Sequence, residues 1–371
     1  MAEAPVRVLM VLTVRCAKNG VTNSVANYAA GLDAARVRCD LVSPNEPEAQ
    51  ISALFERTGG QVFILKGRNR NPARYIRALA KIVRQREIEI VHAHGNSATL
   101  FTEMFAAKLG KARVRIAHSH NSTCKMRLAD RLLRKPFYSL CTDAMACSEA
   151  AGNWLFPNMD CTLLNNAVET ERFRFDPEAR SVLRKALGLT DETLAVLHIG
   201  AFNTQKNQAF LIHAFSDLLK KNPRAVLLLA GDGDGRNACE QLTLRLGIAE
   251  QIRFLGWRED IPALLSAADV FTLPSLHEGL PLTVVEAQCA GLWCLVSDRV
   301  TREAALTSLV EYCPIEDTKR FAESLDTRRV TERSAASEGA ILRLQAAGYD
   351  STNSAERLMR HYERLIGRTE N

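Results

Sequence analysis

The segment ADVFTLPSLHEGLPLTVVEA, residues 268–287, joins a short strand to a helix through a Gly-Leu-Pro turn. The largely apolar run Val270–Leu273 is typical of a strand that is buried on both faces. The residues after Pro281 have the spacing of an amphipathic helix, and proline is favoured in the first turn of a helix. The junction carries one acid in its loop, Glu278, and another in the helix, Glu286. A chain that repeats such strand–helix units has an α/β fold.

The same alternation of strands and helices runs through the chain of 371 residues. Helices of this length connect parallel neighbours, so the pattern predicts two parallel sheets that are covered on both faces. We predict Rossmann-like domains at residues 1–168 and 169–350, followed by a helix within 351–371 that packs back on the body. The predicted strands are Val8–Val14, Cys39–Ser43, Gln61–Leu65, Ile88–His94, Val114–His118, Asp143–Ser148, Cys161–Asn165, Leu194–Ile199, Ala225–Ala230, Ile252–Leu255, Val270–Leu273 and Leu292–Ser297.

The composition, with 47% hydrophobic and 24% charged residues, is that of a soluble globular protein. No apolar run approaches the length of about 18 residues that a membrane-spanning helix needs. The ten cysteines form no C-x-x-C pair, and the apolar run near the N-terminus lacks the features of a secretion signal. We therefore expect reduced thiols in a cytoplasmic protein.

Positive charge is concentrated in the first half of the chain. Residues 1–170 contain 23 Lys and Arg against 14 Asp and Glu, a net charge of +9, whereas the remainder contains 25 against 28, a net charge of −3. This asymmetry predicts an anionic partner for the first half. Few aromatic residues interleave with the basic ones, so nucleic acid is not expected.

Five cations fall on one stripe of a predicted helix, and five more follow later in the same half. The stripe indicates either an interfacial helix on anionic lipid or an ordinary helix with a solvated outer face. The later cations favour the membrane interpretation. The first group is Arg70, Arg74, Arg77, Lys81 and Arg84, and the second is Lys125, Arg127, Arg131, Arg134 and Lys135.

The junction that contains both acids is suited to binding a phosphate. In parallel α/β sheets, ligands bind at the carboxyl ends of the strands, where each helix begins. A helix that begins near Pro281 directs its first, unpaired N–H groups toward an anion there. Glu278 could then face a neutral polyol beside the phosphate, and Glu286 a second diol. The alternative is that both are solvated surface glutamates.

Motifs along nearly the whole chain resemble those of retaining glycosyltransferases of the GT-B fold. The closest resemblance is to family 4 and its bacterial exopolysaccharide and capsule members, and it is most specific over residues 194–298. It implies two Rossmann-like domains that face a central cleft. The motifs are Val91–His94, Ile116–Asn121, Ala146–Glu149, Leu164–Glu169, Gly200–Asn207, Ala230–Arg236, Phe254–Leu265, Ala268–Ser275, His277–Gly291 and Leu295–Asp298.

The resemblance implies that the protein moves a sugar, with retention, from a nucleotide diphosphate sugar to a glycan or lipid-linked acceptor. The donor is most often UDP-linked in such relatives, and the product is a surface polysaccharide. Such a transferase works in the cytoplasm, at the inner face of the membrane where a lipid-linked acceptor lies. Its relatives generally need no metal or other cofactor.

The resemblance also assigns roles to individual residues. Glu278 would touch the donor sugar, Lys206 would neutralise the diphosphate, and His120 would lie beside the sugar. Glu286 would hydrogen bond to the ribose. The remaining implied contacts are the backbone of Gly279, Leu280, Pro281, Leu282 and Thr283 with the diphosphate, Gly20 near the phosphates, and Trp257 and Arg258 with the base.

One position departs from the family pattern. Ala201 stands where the family usually has an arginine that binds the leaving diphosphate. Loss of that guanidinium should weaken charge stabilisation unless another cation replaces it. The candidates for this substitution are Arg236, Lys18 and Arg15.

Two further classes of function remain open, the first of them because of the missing arginine. A non-catalytic or weakly active nucleotide-sugar-binding protein would tolerate an alanine at this position. A nucleotide-sugar epimerase would share the sheets and the phosphate site, but it should not carry the pair of glutamates in this local context. A dehydrogenase is not expected, because no G-x-G-x-x-G follows the first predicted strand.

Two groups of residues resemble metal sites, but we expect neither group to bind a metal ion. Asp232-Gly-Asp234 resembles a metal-binding motif of the other major glycosyltransferase fold, but its place after a strand favours a tight glycine-rich turn. His92, His94, His118 and His120 could suggest zinc. The resemblance places His120 at the donor, and we expect the other three to be structural.

Overall fold

The computed structural model describes residues 4–17, 19–121, 123–124, 126–327, 330 and 332–367. By its internal contacts the chain divides into two compact units. The first unit comprises residues 1–168 together with 348–371, and the second comprises residues 169–347.

The first unit is built on a parallel sheet of seven strands, in the order β3-β2-β1-β4-β5-β6-β7. This is the doubly wound order, in which the chain builds outward from β1 in one direction and then returns to build in the other. The order therefore reverses between β1 and β4. The strands are β1 (Val6–Leu12), β2 (Val37–Ser43), β3 (Val62–Ile64), β4 (Ile90–Gly95), β5 (Val114–Ser119), β6 (Asp143–Ala146) and β7 (Thr162–Leu163).

The second unit repeats this plan with six parallel strands, in the order β10-β9-β8-β11-β12-β13. The strands are β8 (Ala195–Ile199), β9 (Val226–Ala230), β10 (Ile252–Gly256), β11 (Val270–Leu273), β12 (Trp293–Ser297) and β13 (Val310–Cys313). All twelve predicted strands are present. The sequence analysis missed β13, a partly exposed edge strand that pairs with β12.

The described residues form fourteen α-helices, which cover the faces of the two sheets. They are α1 (Gly20–Ala30), α2 (Ala49–Arg57), α3 (Pro72–Gln85), α4 (Phe101–Gly110), α5 (Arg127–Leu140), α6 (Glu149–Leu155), α7 (Pro177–Ala186), α8 (Gln208–Leu219), α9 (Arg236–Leu246), α10 (Ile261–Ala267), α11 (Leu282–Cys289), α12 (Thr318–Thr327), α13 (Arg333–Ala346) and α14 (Ser351–Leu365). None of the helices in the described part of the chain is both long and apolar enough to span a bilayer.

The last helix, α14, belongs to the first unit. Leu358 and Tyr362 on its inner face are fully buried in the core formed by β1, β2 and α1. Arg36 fixes the outer edge of the helix, because its guanidinium lies 2.7 Å from a carboxylate oxygen of both Glu356 and Glu363. Helix α14 therefore completes one side of the first sheet.

An arginine cluster holds the C-terminal end of α10 in the second unit. Arg333 donates to the carbonyls of Leu265, Ser266, Ala268 and Ala290 at 2.6–3.2 Å, and its guanidinium lies over the ring of Phe175. Its burial is costly for a charge, and it lowers the pKa of Arg333 to about 9. The guanidinium groups of the cluster donate hydrogen bonds to carbonyls at helix ends, which have no partner within their own helix. Its other members are Arg180 and Arg184, which donate to neighbouring carbonyls and to Asp269.

Candidate active site

The candidate site of the second unit lies where its strand order reverses, between β8 and β11. Ligands of doubly wound sheets bind at this place, outside the carboxyl ends of the strands. Two loops leave the strands here, 200–207 after β8 and 274–281 after β11. Gln205 holds them together: its carbonyl accepts from Leu276 N at 2.8 Å, and its side-chain amide donates to the carbonyl of His277 at 3.0 Å. The loops therefore form one surface.

Lys206 and Glu278, both predicted to contact the donor, form an ion pair across these two loops. Lys206 Nζ lies 2.7 Å from Glu278 Oε1, and the Oγ of buried Ser275 donates to the same oxygen at 2.9 Å. The side chains are only 17% and 12% exposed, respectively, so the two charges sit in a recess. The aliphatic part of Lys206 covers Gly200, where an added Cβ would lie 3.1 Å from Lys206 Cδ.

A buried histidine beneath the pair was not predicted as part of the site. His198 Nδ1 lies 3.0 Å from the carbonyl oxygen of Thr272, and Nε2 lies 3.3 Å from the side-chain nitrogen of Gln208. Because the carbonyl can only accept, Nδ1 carries the proton and Nε2 accepts from Gln208. Burial, and then the nearby ammonium of Lys206, lower the pKa of His198 to about 4. Because His198 is neutral, the positive charge at this position comes from Lys206.

The glycine-rich loop after β9 packs directly against the loop that carries Ala201. Gly231 has a φ of 133°, and a Cβ there would lie 2.1 Å from the carbonyl oxygen of Gly200. Gly233 has a φ of 149°, and its added Cβ would lie 2.7 Å from the carbonyl oxygen of Phe202. Only glycine fits such backbone angles and contacts. The geometry accounts for the Asp-Gly-Asp stretch as a tight turn, in which Asp232 Oδ1 accepts from the N–H of Gly233 at 2.9 Å.

The helix after the acidic loop begins at Leu282, with Pro281 at its N-cap. The first N–H groups of a helix have no acceptor within it, and no side chain caps this one. Thr283 adds a buried Oγ1 that has no hydrogen-bond partner among the described residues. Gly279 is exposed, with open space around its α-carbon. The turn therefore offers N–H groups at the start of a helix, together with the unpartnered Thr283 Oγ1, to an anion.

Glu286, the second predicted acid, lies one turn further along α11 and is partly buried. None of the described residues donates a hydrogen bond to its carboxylate. Burial without such partners raises its pKa to about 7, although Arg172 nearby acts in the opposite direction. A half-desolvated carboxylate without donors is costly to the fold, and functional sites characteristically carry such groups.

Replacing Glu286 by glutamine should stabilise the protein, and more so at pH 8 than at pH 5. Between the ordinary carboxyl pKa of 4.5 and the raised value of about 7, the folded protein binds more protons than the unfolded chain, so its stability falls as the pH rises. Glutamine removes this loss. We expect the difference in melting temperature between Glu286→Gln and wild type to widen by about 2–4 °C across this range, measured by thermal unfolding. The matched control is Glu338→Gln, at an exposed position of α13, which should show no such trend.

The cations proposed to replace the missing arginine at Ala201 are already engaged or lie elsewhere. Arg236 Nε donates to Glu240 at 2.8 Å, and a second nitrogen of its guanidinium lies 4.0 Å from Asp232. Arg15 is exposed and belongs to the first unit, and Lys18 lies outside the described residues. Within the site of the second unit, charge neutralisation therefore depends chiefly on Lys206.

The two residues predicted to contact the base form the outer part of the second unit's surface. Trp257 is 54% exposed and follows Gly256 at the end of β10. Arg258 is paired with Asp260, at 2.7 Å from Nε to Oδ1. An exposed indole is a suitable stacking surface for a planar ring.

His120 and Gly20 belong to the first unit, whereas the other predicted site residues belong to the second. Gly20 begins α1, which is capped by Asn19 through a hydrogen bond to the N–H of Thr22 at 3.1 Å. His120 follows β5, and its Nε2 lies 3.0 Å from His94 Nδ1. Burial lowers the pKa of His120 to about 4, so the ring is neutral.

Comparisons with known proteins match both halves of the chain. Residues 179–326 match the model of the glycosyl transferases group 1, and residues 18–172 match that of glycosyltransferase family 4. EpsF of Bacillus subtilis (strain 168), named as a glycosyltransferase, is 31% identical over 316 residues, which are 82% of each chain. A UDP-Gal:alpha-D-GlcNAc-diphosphoundecaprenol alpha-1,3-galactosyltransferase of Escherichia coli is 29% identical over 234 residues, 60% of each chain.

The fold is also that of solved structures. HepE of Anabaena, crystallised in complex with UDP, superposes with a TM-score of 0.78, at 18% identity over 96% of this chain and all of its own. Together with the two parallel sheets, this likeness confirms the predicted GT-B fold. The chain belongs to the group 1, family 4 glycosyltransferases.

Proposed function

We propose that the protein transfers a hexosyl unit, with retention, from a UDP-sugar to a glycan or lipid-linked acceptor in surface polysaccharide synthesis. The observation that carries this proposal is the Lys206–Glu278 pair at the β8–β11 switch point, next to the uncapped start of α11. The ammonium and the helix N–H groups suit a diphosphate, and the acids suit hydroxyl groups. The names of the Escherichia coli relative and of the HepE complex support uridine as the base.

In this reaction the bond between the anomeric carbon and the UDP oxygen breaks, and the acceptor oxygen bonds to the same carbon. The transition state resembles an oxocarbenium ion, with negative charge developing on the leaving phosphate. Lys206 and the first N–H groups of α11 stabilise that charge. The leaving phosphate takes the proton of the acceptor hydroxyl on the same face. Glu278 accepts hydrogen bonds from the sugar and orients it, without acting as a nucleophile.

The test is to incubate the purified protein with several UDP-sugars and to follow UDP release and the anomeric form of the freed sugar by NMR. A transferase that retains configuration should slowly hydrolyse its own donor and release a sugar with the donor's anomeric configuration. UDP release should disappear in Glu278→Ala. Inverted product, or conversion of the sugar without release of UDP, would contradict the proposal; the latter is the reaction of an epimerase.

A non-catalytic nucleotide-sugar-binding protein is a second candidate, favoured by Ala201 alone. The position is exposed, and its neighbourhood in the second unit provides no unpaired guanidinium among the described residues. Calorimetry with the same UDP-sugars separates the two candidates. Binding that is never followed by UDP release, even with acceptor lipid present, would favour the binding protein.

We further propose that the acceptor is reached at an anionic membrane surface through α5. Leu128 and Leu132 are 73% and 70% exposed, and they lie one turn apart beside exposed Arg127 and Arg131. Exposed leucines next to exposed cations are the composition of an interfacial helix, and neither arginine has an ion-pair partner among the described residues. Lys125 of the predicted basic cluster lies outside the described residues, and Arg134 is held by Asp130 at 2.9 Å.

The stripe of cations on α3, predicted to be either an interfacial helix or an ordinary solvated one, lacks an exposed apolar partner. Its apolar residues Tyr75, Leu79 and Val83 are buried in the core, and its outward face between Arg74 and Arg84 carries no large exposed hydrophobic residue. This is the arrangement of an ordinary solvated helix. Helix α4 packs against both α3 and α5, so all three helices lie on the same side of the sheet. The cations of α3 would therefore add to the electrostatic attraction between that side and an anionic membrane.

Replacing Leu128 and Leu132 together by serine should weaken binding to vesicles that contain anionic lipid at least about tenfold. The reason is that two leucine side chains inserted into the bilayer contribute roughly 3 kcal/mol or more to the binding free energy. Sedimentation with phosphatidylglycerol vesicles measures the effect. The matched control replaces Leu244 and Leu342, which are 61% and 62% exposed in the second unit. Equal loss in the control, or no binding by wild type, would contradict a docking role for α5.

A further inference from the structure

Three histidines at the ends of β4 and β5 form a compact group inside the first unit. His92 and His94 are in β4 and His118 is in β5, and all three are fully buried. One ring nitrogen of each lies within 4.8 Å of a nitrogen of the other two. His92 and His118 are closest, with Nε2 of the former 3.1 Å from Nδ1 of the latter.

The hydrogen bonds of this group leave two imidazole nitrogens without partners. His118 uses Nδ1 toward His92, and His94 uses Nδ1 toward His120 at 3.0 Å. The Nε2 atoms of His94 and His118 are buried and have no hydrogen-bond partner in the described chain. Buried polar atoms of folded proteins are nearly always satisfied by protein, water or an ion. Two such atoms in one cluster are therefore open to a ligand.

We propose that His92, His94 and His118 bind a transition-metal ion such as Zn²⁺ within the first unit. Three imidazoles without a carboxylate select ions such as zinc, nickel or copper over magnesium and calcium, which prefer oxygen ligands. Zinc holds its nitrogen ligands at about 2.0–2.1 Å, so the three ring nitrogens, which lie within 4.8 Å of one another, would move closer together around the ion.

Neighbouring groups would orient the ligands. His92 Nδ1 lies 2.7 Å from the hydroxyl oxygen of Tyr362, and Nε2 of the same ring would exchange its contact with His118 Nδ1 for the ion. His94 can ligate through its unpaired Nε2 while its Nδ1 remains bonded to His120. Partners of this kind fix the tautomer of metal-binding histidines. Because Tyr362 is on α14, the ion would also link the terminal helix to the central strands.

The site goes beyond the proposed sugar-transfer reaction, whose steps as described above involve no metal ion. Its place in the fold indicates a structural role, because β4 and β5 are neighbours at the centre of the sheet. Binding would satisfy nitrogens that are otherwise left unpaired and would cross-link the two strands with α14. The predicted consequence is that the metal-loaded protein melts at a higher temperature than the chelator-treated protein.

The test is to treat the full chain with chelator, to add Co²⁺ as a spectroscopic probe and to measure its visible absorption, and then to displace it with Zn²⁺. We expect about one equivalent of bound metal and the intense bands of tetrahedral cobalt. His94→Ala and His118→Ala should each lower the affinity at least tenfold. His213→Ala, at an exposed position of α8, is the matched control and should bind as wild type does.

Circular dichroism of each variant distinguishes loss of the ligand from loss of the fold. If the alanine variants do not fold, the cobalt spectrum of wild type and its stoichiometry still decide the proposal. An octahedral spectrum, no stoichiometric binding, or binding that His213→Ala weakens as much as His118→Ala does would overturn it. The measurement contains no UDP-sugar, so its failure would leave the proposed transfer reaction untouched.

Discussion

Replacing Lys206 by methionine should lower the rate of sugar transfer by about 100–1000-fold, the loss expected when one charge-stabilising group of a transition state is removed. The effect should be at the high end because Ala201 stands where the family has a second cation. Methionine keeps the aliphatic packing over Gly200, so the fold should be preserved. Initial rates of UDP release, with kcat and KM determined separately, measure the effect. The loss should appear mainly in kcat, because the leaving charge is largest in the transition state.

The matched control is Lys220→Met, at a lysine that is 70% exposed and paired with Asp217 in the same helical region. It should transfer at the wild-type rate. If Lys206→Met retains more than about a tenth of the wild-type kcat, the ammonium is not the main stabiliser of the leaving diphosphate. Some group other than Lys206 and Glu278 must then take over the role that the family's arginine has in binding the diphosphate.

Replacing Arg333 by methionine should destabilise the second unit by about 3–5 kcal/mol, because the carbonyls it serves are buried and lose their donor. Leu265 and Ala290 are the most affected, since the other two carbonyls also receive bonds from Arg180. The melting temperature should fall by at least about 6 °C for a unit of this size. Differential scanning calorimetry measures the shift.

Arg343→Met is the matched control for this change, because Arg343 is exposed on the same helix, α13. It should melt within about 1 °C of wild type. An equal fall in both variants would show that the helix, and not the guanidinium, is the sensitive element. No fall in Arg333→Met would mean that methionine packing compensates for the lost hydrogen bonds.

The sequence predicted the two sheets because buried parallel strands are continuous apolar runs, which stand out between helices. It missed β13, whose residues Val310–Cys313 include a glutamate and are for the most part only partly buried at the sheet edge. Such a short segment has no periodicity that distinguishes it from a loop. Membership of α14 in the first unit depends on contacts distant in sequence, such as those of Arg36 with Glu356 and Glu363.

The acidic junction could be found from sequence because its helix start and its two acids are local features. The contacts that place Lys206 against Glu278 are not local, and they depend on Gln205 and Ser275, whose residue types carry no recognisable signal. His198 was missed because a single histidine within an apolar strand has no distinguishing pattern.

The orientation of α5 also could not be predicted from sequence. Leu128 and Leu132 have the spacing of a core-facing stripe, yet the helix turns Phe137 and Leu140 inward and leaves both leucines in solvent. Periodicity identifies an apolar face but not whether the protein covers it. The exposure that supports the membrane proposal therefore came from the structure alone.

A crystal structure of the protein with bound UDP tests the central claim most directly. We predict that the diphosphate lies within about 2.7–3.2 Å of Lys206 Nζ and of the first N–H groups of α11, and that the ribose hydroxyls donate to Glu286. UDP bound away from the β8–β11 switch point, or a Glu286 carboxylate that makes no contact with the ribose, would contradict the account.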